Sequence, residues 1–293
     1  MTPKMDEIKP EISIIIPCYN SGATIARAVN SCVAQTWISK EIIVIDDGSD
    51  DPKTIEELDD LSSIKLIRQA NHGLPSARNC GVKHAKGTWI MFLDADDWLE
   101  ENAICELIKP LKGTQEVYSF PYLRLQGNVK GVLEKQYNFF EQLFLNQLPY
   151  CLMISKDAFL RLGGYDETMR SGYEDWELNI RLGESGIHGH LVAQPLVNYQ
   201  VSNNGMLLSK SVRQHAQLWR EIRKKNRQSF KLRRMLSSWQ YWKGQKSSYP
   251  LSIYPFLFLF HVLLPDFLFN RVFLIMRKFS KSNRMQSARE CVE

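Results

Sequence analysis

Trp89-Ile90-Met91-Phe92-Leu93-Asp94-Ala95-Asp96-Asp97 passes directly from five apolar positions to three carboxylates in four residues. A short unbroken apolar run reads as a strand buried on both faces, the kind a parallel sheet is built from. The carboxylates then stand at its carboxyl end, where open α/β sheets keep their ligand crevice because the loops vary while the sheet stays rigid. Carboxylates so close together repel one another unless a cation neutralises them. Mn²⁺ or Mg²⁺ would suit, since hard divalent cations take oxygen ligands and are commonly held by one or two carboxylates plus substrate phosphates. Taken alone, the cluster has a plainer reading as a helix N-cap with acids in the first turn.

Upstream, β-branched runs alternate with helical spacing, which predicts βαβ units on a parallel sheet. Ile12–Ile16 is a strand closed by Pro17, Thr24–Ala34 a helix, and Glu41–Ile45 a strand that ends in Asp46-Asp47-Gly48-Ser49. Ile55–Leu61 reads as a helix, Ile64–Ile67 as a strand, and Ser76–Ala85 as a helix with Ser76 as candidate N-cap. Polar residues thus collect where strands end. Asp-Gly-Ser is common turn chemistry, but a carboxylate there can also accept the base N–H of a nucleotide. In Asn71-His72-Gly73-Leu74-Pro75-Ser76-Ala77-Arg78, the arginine sits in a first turn, where acids are preferred. That placement suits a neighbouring carboxylate or nucleotide, with a solvated arginine the alternative.

Downstream, Gly172-Tyr173-Glu174-Asp175-Trp176-Glu177-Leu178 opens an amphipathic helix with an acidic pair. Such a pair can set one carboxylate at a pocket rim, where it serves as general base, or it can simply start a helix. The six histidines show no HxxxH spacing, and the six cysteines no CxxC spacing. With a polar stretch from Met1 to Glu11 and no apolar leader in it, this predicts reduced thiols and a cytoplasmic setting.

In their order, Ile12–Asn20, Asp46-Asp47-Gly48-Ser49, Ala77-Arg78-Asn79-Cys80-Gly81, Phe92–Asp97 and Glu174-Asp175 resemble the motifs of the family 2 glycosyltransferases. The resemblance implies a GT-A fold: an α/β, Rossmann-like, mostly parallel sheet flanked by helices. It implies an inverting enzyme that takes a sugar from a nucleotide-sugar, a UDP-sugar, to a hydroxyl of a glycan or lipid-linked acceptor. Pro17, Tyr19 and Asp47 match the uridine-binding positions, with Arg78 beside the base. Asp94 and Asp96 match the pair that meets ribose and metal–diphosphate, Asp96 being the metal ligand, while Asp97 is less certain. Asp175 matches the catalytic base, and Glu174 and Trp176 would shape the acceptor site. Tyr199–Asn204 departs from the family pattern, and no Gln-x-x-Arg-Trp motif is present, which favours limited transfer over long-chain synthesis. Asn20-Ser21-Gly22-Ala23 lacks the Gly-rich basic loop a nucleotidyltransferase would carry. A non-catalytic scaffold on the same fold is the other rival.

The formal net charge of +5 is unevenly spread, with twelve Lys/Arg against the single acid Glu221 between Ser209 and Lys246. The expected division is a catalytic domain over 1–205, with a nucleotide-binding half at about 11–100 and an acceptor half at about 101–205. A helical basic extension over 206–293 follows. Its apolar stretch at about 250–275 is interrupted by Pro255, His261, Pro265 and Asp266, so a full span, which takes about 20 apolar residues, is not expected. Bases on both sides point to an interfacial segment at an anionic membrane, on its inner face. The alternative is a helix packed on the catalytic domain or on a second subunit, as in a homo-oligomer. No nucleic-acid-binding module accompanies the basic run, and none is expected to act.

Overall fold

The computed structural model describes residues 10–114, 117–201 and 214–274. Its first third is the expected βαβ series. Strands β1 (Ile12–Cys18), β2 (Lys40–Asp46), β3 (Lys65–Arg68) and β4 (Trp89–Phe92) are connected through helices α1 (Ile25–Val33), α2 (Pro52–Asp60) and α3 (Leu74–His84). β1 pairs in parallel with β2 and β4, and β2 with β3. Every residue of β1 is buried, so it lies inside the sheet with both faces covered.

α3 begins two residues earlier than the sequence suggests. Gly73, at φ 91°, caps it, and Pro75 lies in the first turn, where a missing N–H costs nothing; Ser76 is therefore inside the helix. α2 starts conventionally, with the Asp51 carboxylate accepting the Thr54 amide at 3.0 Å.

The second half turns the sheet mixed. β5 (Trp98–Leu99), α4 (Ala103–Ile108), β6 (Val117–Gly127), β7 (Gly131–Leu133), α5 (Phe139–Gln142), β8 (Met153–Ser155), α6 (Lys156–Arg161), α7 (Glu174–Glu184) and β9 (His188–Val201) follow. The strand order is β3-β2-β1-β4-β8-β6-β9-β5, with β7 on β6. β8 runs antiparallel to β4 and β6, whereas β6 and β9 are parallel.

Beyond the sheet come α8 (His215–Lys225), α9 (Leu232–Trp242), α10 (Ile253–Leu263) and a further helix, α11, over 266–274. They build a second core in which Trp219, Ile222, Tyr254, Leu257 and Phe269 pack on Phe140 and Phe144 near α5 and on Trp176 and Ile180 of α7. Glu141, wholly buried, accepts the Tyr254 hydroxyl and the Ser248 amide, fixing this layer to α5. One face of the apolar segment is therefore packed on the chain itself. Among the described residues no helix is long and apolar enough to cross a membrane. Residue 275 and the bases Arg277 and Lys278 lie outside the described residues.

Candidate active site

Parallel register sets the loops after β1, β2 and β4 side by side: Cys18 pairs with Asp46, and Ile15 with Phe92. Asn20 (φ 50°) clips the first loop to the second, its Nδ2 donating to Asp50 Oδ1 at 2.7 Å and its Oδ1 accepting the Asp50 and Asp51 amides at 3.1 Å. Pro17 is buried in β1, and Tyr19 is 48% exposed at the loop surface. Gly48 must be glycine: its φ is +74°, and a Cβ would stand 2.7 Å from the Asn71 amide nitrogen. That close approach brings the 69–73 loop onto Asp47. The buried Asp47 carboxylate accepts from Gln69 Nε2 at 2.7 Å and from the His72 and Gly73 amides at 2.9 and 2.8 Å. In this structure, then, Asp47 organises its own neighbourhood.

Arg78 is 1% exposed. Its Nη2 donates to Asp94 Oδ1 at 2.7 Å and its Nη1 to Glu174 Oε1 at 2.8 Å. Burial alone would lower its pKa, but the charges of Asp94 and Glu174 hold it above the ordinary arginine value. The guanidinium lies 5.3 Å from the Tyr150 ring centroid and 5.5 Å from that of Tyr165. The arginine expected beside the base therefore ties the acidic loop after β4 to the first residue of α7.

The other acids of that loop differ in surroundings. Asp97 is buried; it accepts the Tyr150 hydroxyl and, at 2.7 Å, the Gln200 amide, while Tyr150 Oη accepts the Asp94 amide at 3.1 Å. Burial and the charges of Asp94 and Asp96 push the Asp97 pKa well up. Asp97 thus braces the loop against β9. For Asp96, burial and Asp94 push the pKa up to about 6, and its carbonyl is held by Arg27 at 2.7 Å.

On α7, Tyr173 takes the left-handed conformation at the N-cap (φ 67°) and turns the chain into the helix at Glu174. Asp175 is half-buried, its Oδ2 accepting from Asn146 Nδ2 at 2.9 Å and its Oδ1 from the Trp176 amide at 2.7 Å. Burial raises both Glu174 and Asp175, with Arg78 opposing. Trp176 faces inward: it is 1% exposed, donates Nε1–H to the Gln142 carbonyl at 2.6 Å and stacks on His215. It supports α7 from within. The Tyr199 hydroxyl senses the charges of Asp94, Asp97, Asp96 and Asp175, which, after burial, push its pKa up. Of Tyr199–Asn204, residues 202–204 lie outside the described residues.

Tyr150 and Asn146 were not singled out in the sequence; each is a lone polar residue with no spacing to mark it. Asn79, part of the Ala77–Gly81 motif but given no role there, holds the 163–167 turn, donating to the Tyr165 carbonyl at 2.8 Å and accepting the Tyr165 amide at 2.9 Å. Among the described residues no three His, Cys, Asp or Glu side chains form a metal cage. Asp94 and Asp96 nonetheless stand in one loop, and burial together with the Asp94 charge raises the Asp96 pKa.

The model of glycosyl transferase family 2 matches residues 13–168. The chain belongs to that family. The family 2 match holds Pro17, Tyr19, Asp47, Arg78, Asp94 and Asp96, and it ends before Glu174 and Asp175. Glycosyltransferase GlyA of Streptococcus pneumoniae is 27% identical over 225 residues, 70% of this chain and 30% of its own length. Chondroitin synthase of Pasteurella multocida is 38% identical over 192 residues, 62% of this chain and 20% of its own. The family 2 chain thus spans less than a third of these relatives. Its GT-A fold is shared with S. aureus TarS 1–349 in complex with UDP-GlcNAc (TM-score 0.57, 18% identity, 72% of this chain and 65% of that one). It is shared too with GalNAc-T7 bound to UDP, GalNAc and Mn²⁺ (TM-score 0.55, 21% identity, 68% and 45%).

Proposed function

We propose that the chain is an inverting glycosyltransferase that moves a hexosyl or N-acetylhexosaminyl group from a UDP-sugar to a hydroxyl of a glycan or lipid-linked acceptor, in surface polysaccharide synthesis at the inner face of a membrane. The observation that carries this reading is the Asp94–Arg78–Glu174 bridge, which sets a candidate diphosphate-binding loop beside a candidate base. Relatives named for succinoglycan biosynthesis (ExoO of Rhizobium meliloti) and chondroitin synthesis support the polymer context. Neighbours holding UDP-GlcNAc, or UDP with Mn²⁺, support the donor.

Asp175 accepts the proton of the acceptor hydroxyl, which attacks the anomeric carbon from the face opposite the UDP. Asn146 and the Trp176 amide hold that carboxylate in one orientation. Pro17, Tyr19 and Asp47 border the uridine site, and Asp94 lies towards the ribose. Asp96, with Asp94 nearby, would hold a divalent cation, whose chemistry there would be to neutralise the charge of the departing diphosphate. Residues 1–205 carry this chemistry, and the remainder supports it.

Donor binding and hydrolysis across UDP-, GDP-, CMP- and dTDP-sugars, with and without Mn²⁺, test the reading. One UDP-sugar should turn over only with metal; Asp96→Ala should abolish turnover, and Asp175→Asn should lower transfer by roughly 10²–10⁴-fold at saturating donor. Binding of no nucleotide-sugar, or an unchanged rate in Asp175→Asn, would sink it.

A further inference from the structure

In the C-terminal layer, α8 and the turn after it present Arg220, Arg223, Lys224 and Arg227, which with Phe230 line an open pocket of ≈ 350 Å³. One of these bases is paired: Arg220 Nη1 donates to Asp266 at 2.9 Å. Arg223 lies over the rings of Phe258 and Trp219, 4.9 and 5.4 Å from their centroids, and its Nε is buried with no hydrogen-bond partner among the described residues. Lys224 and Arg227 have no carboxylate partner among the described residues. Of the four cations that line the pocket only Arg220 has a carboxylate partner among the described residues, so the other three gain when an anion enters. Burial and Arg220 both lower the Arg223 pKa.

One wall of this pocket leads to α10, since Phe230 stacks on Phe258 at 6.5 Å. α10 buries Tyr254, Leu257 and His261 and turns the opposite face outward: Phe256 (62% exposed), Leu259, Phe260, Val262 and Leu263 (67%). No charged residue falls between Ile253 and Leu264, and Phe267 (66% exposed) extends the apolar surface onto α11. Isolated apolar residues on a surface need no explanation, but a contiguous helical face bordered by bases does.

We propose that this face docks on an anionic membrane, with Phe256, Phe260, Leu263 and Phe267 entering the boundary between headgroups and acyl chains while the Arg223–Lys224–Arg227 pocket takes a lipid phosphate. The charges decide the occupant. A second copy docking through the same patch would bring like bases together across a two-fold interface, and an uncharged apolar partner would leave them unneutralised. An anionic bilayer matches both halves of the surface at once. It also meets the requirement for two signals, because one short apolar anchor gives only marginal, reversible attachment.

The test is co-sedimentation of the full chain with vesicles of phosphatidylcholine alone or of equal parts phosphatidylcholine and phosphatidylglycerol, with sedimentation velocity without lipid alongside. The wild type should partition onto the anionic vesicles only. The double variant Lys224→Glu/Arg227→Glu, exposed and outside both cores, should lose affinity by roughly tenfold or more, at about 1 kcal/mol per base near the surface. Phe256→Ser/Phe260→Ser should lose binding while keeping the helical circular dichroism. Equal binding to neutral vesicles, absence of binding to both, or binding unaffected by either variant overturns the proposal. So does a concentration-dependent dimer that Phe256→Ser/Phe260→Ser dissociates, or tight binding of free inorganic phosphate without vesicle binding. None of these readouts depends on sugar transfer, so the docking surface and the proposed activity fail separately.

Discussion

A guanidinium taken out of water is tolerated only where carboxylates replace the hydration it loses. Arg78 meets that condition twice, through Asp94 and Glu174, and the two bonds join parts of the chain 16 and 96 residues away from it. Removing the arginine leaves Glu174, itself buried, without its countercharge. Arg78→Ala should therefore destabilise the fold by about 3–5 kcal/mol in urea unfolding. Arg78→Lys should fall between, since one ammonium keeps the charge but cannot span two carboxylates as a planar fork does. The same residue sets the pH response. Burial raises Asp175, and Arg78 opposes the rise. If Asp175 is the base, as proposed, it works only when deprotonated, so transfer should fall as pH drops through a pKa above the ordinary aspartate range. Weakening the cation favours the protonated carboxyl, so Arg78→Lys should move that acidic limb of the kcat profile to higher pH, or leave it in place if the arginine has no bearing on the base.

Among the elements, α10 rests part of its packing on a titratable ring. His261 is 1% exposed, stacks on Trp219 at 4.3 Å between centroids and donates Nε2–H to the Ala216 carbonyl at 2.7 Å, with Nδ1 buried and unpartnered among the described residues. Burial pushes its pKa down to about 4; Arg223 and Arg220 push the same way, while the Ala216 bond and Asp266 oppose them. The unfolded chain takes up this proton near 6.5, the folded chain only near 4, so the unfolded state binds more protons in between. Stability from this site is present above about pH 6.5 and is lost as pH falls towards 4. Thermal unfolding at pH 7.5 and pH 5 should show the loss, and His261→Gln should flatten it; an equal drop in the variant would place the cause elsewhere. The elements differ in how far the sequence announces them. β1, β2 and β4 are apolar runs, closed by Pro17 in β1 and by acids after β2 and β4, and a buried parallel strand imposes the apolar pattern directly. α3 is displaced from its expected start because Pro75 is comfortable inside a first turn. Tyr150 and Asn146 carry no local signal at all, because their roles exist only once β8 and α7 bring distant segments to the acids. Trp176 looks like a rim residue beside Asp175 in the sequence, yet successive helical side chains point about 100° apart, and its own face is the inner one.

At the scale of the whole molecule, α7 is shared property. Leu178 and Leu182 belong to the core of the sheet, whereas Trp176 and Ile180, two positions away on the opposite side, belong to the core made with the C-terminal helices. The first turn of the same helix carries Glu174 and Asp175. The C-terminal layer thus packs on the helix that carries the two candidate site acids. Trp219 is the centre of that layer: it is fully buried, donates Nε1–H to the Leu143 carbonyl at 3.1 Å, and stacks on Trp176 at 6.4 Å and on His261. Trp219→Ala removes the ring from both stacks and leaves the Leu143 carbonyl unsatisfied, so it should cost about 3–5 kcal/mol. Trp219→Phe keeps most of the volume but forfeits the hydrogen bond, and it should cost roughly 1–3 kcal/mol. If the C-terminal layer holds α7 in register, both variants should also lower kcat at temperatures well below their unfolding transitions, in the order of their instability, with donor KM little changed, because the donor loops rest on the other core. If kcat stays at the wild-type value while stability falls, the layer supports the fold alone, and the orientation of Asp175 is set by Asn146, from the segment between α5 and β8, and by the Trp176 amide.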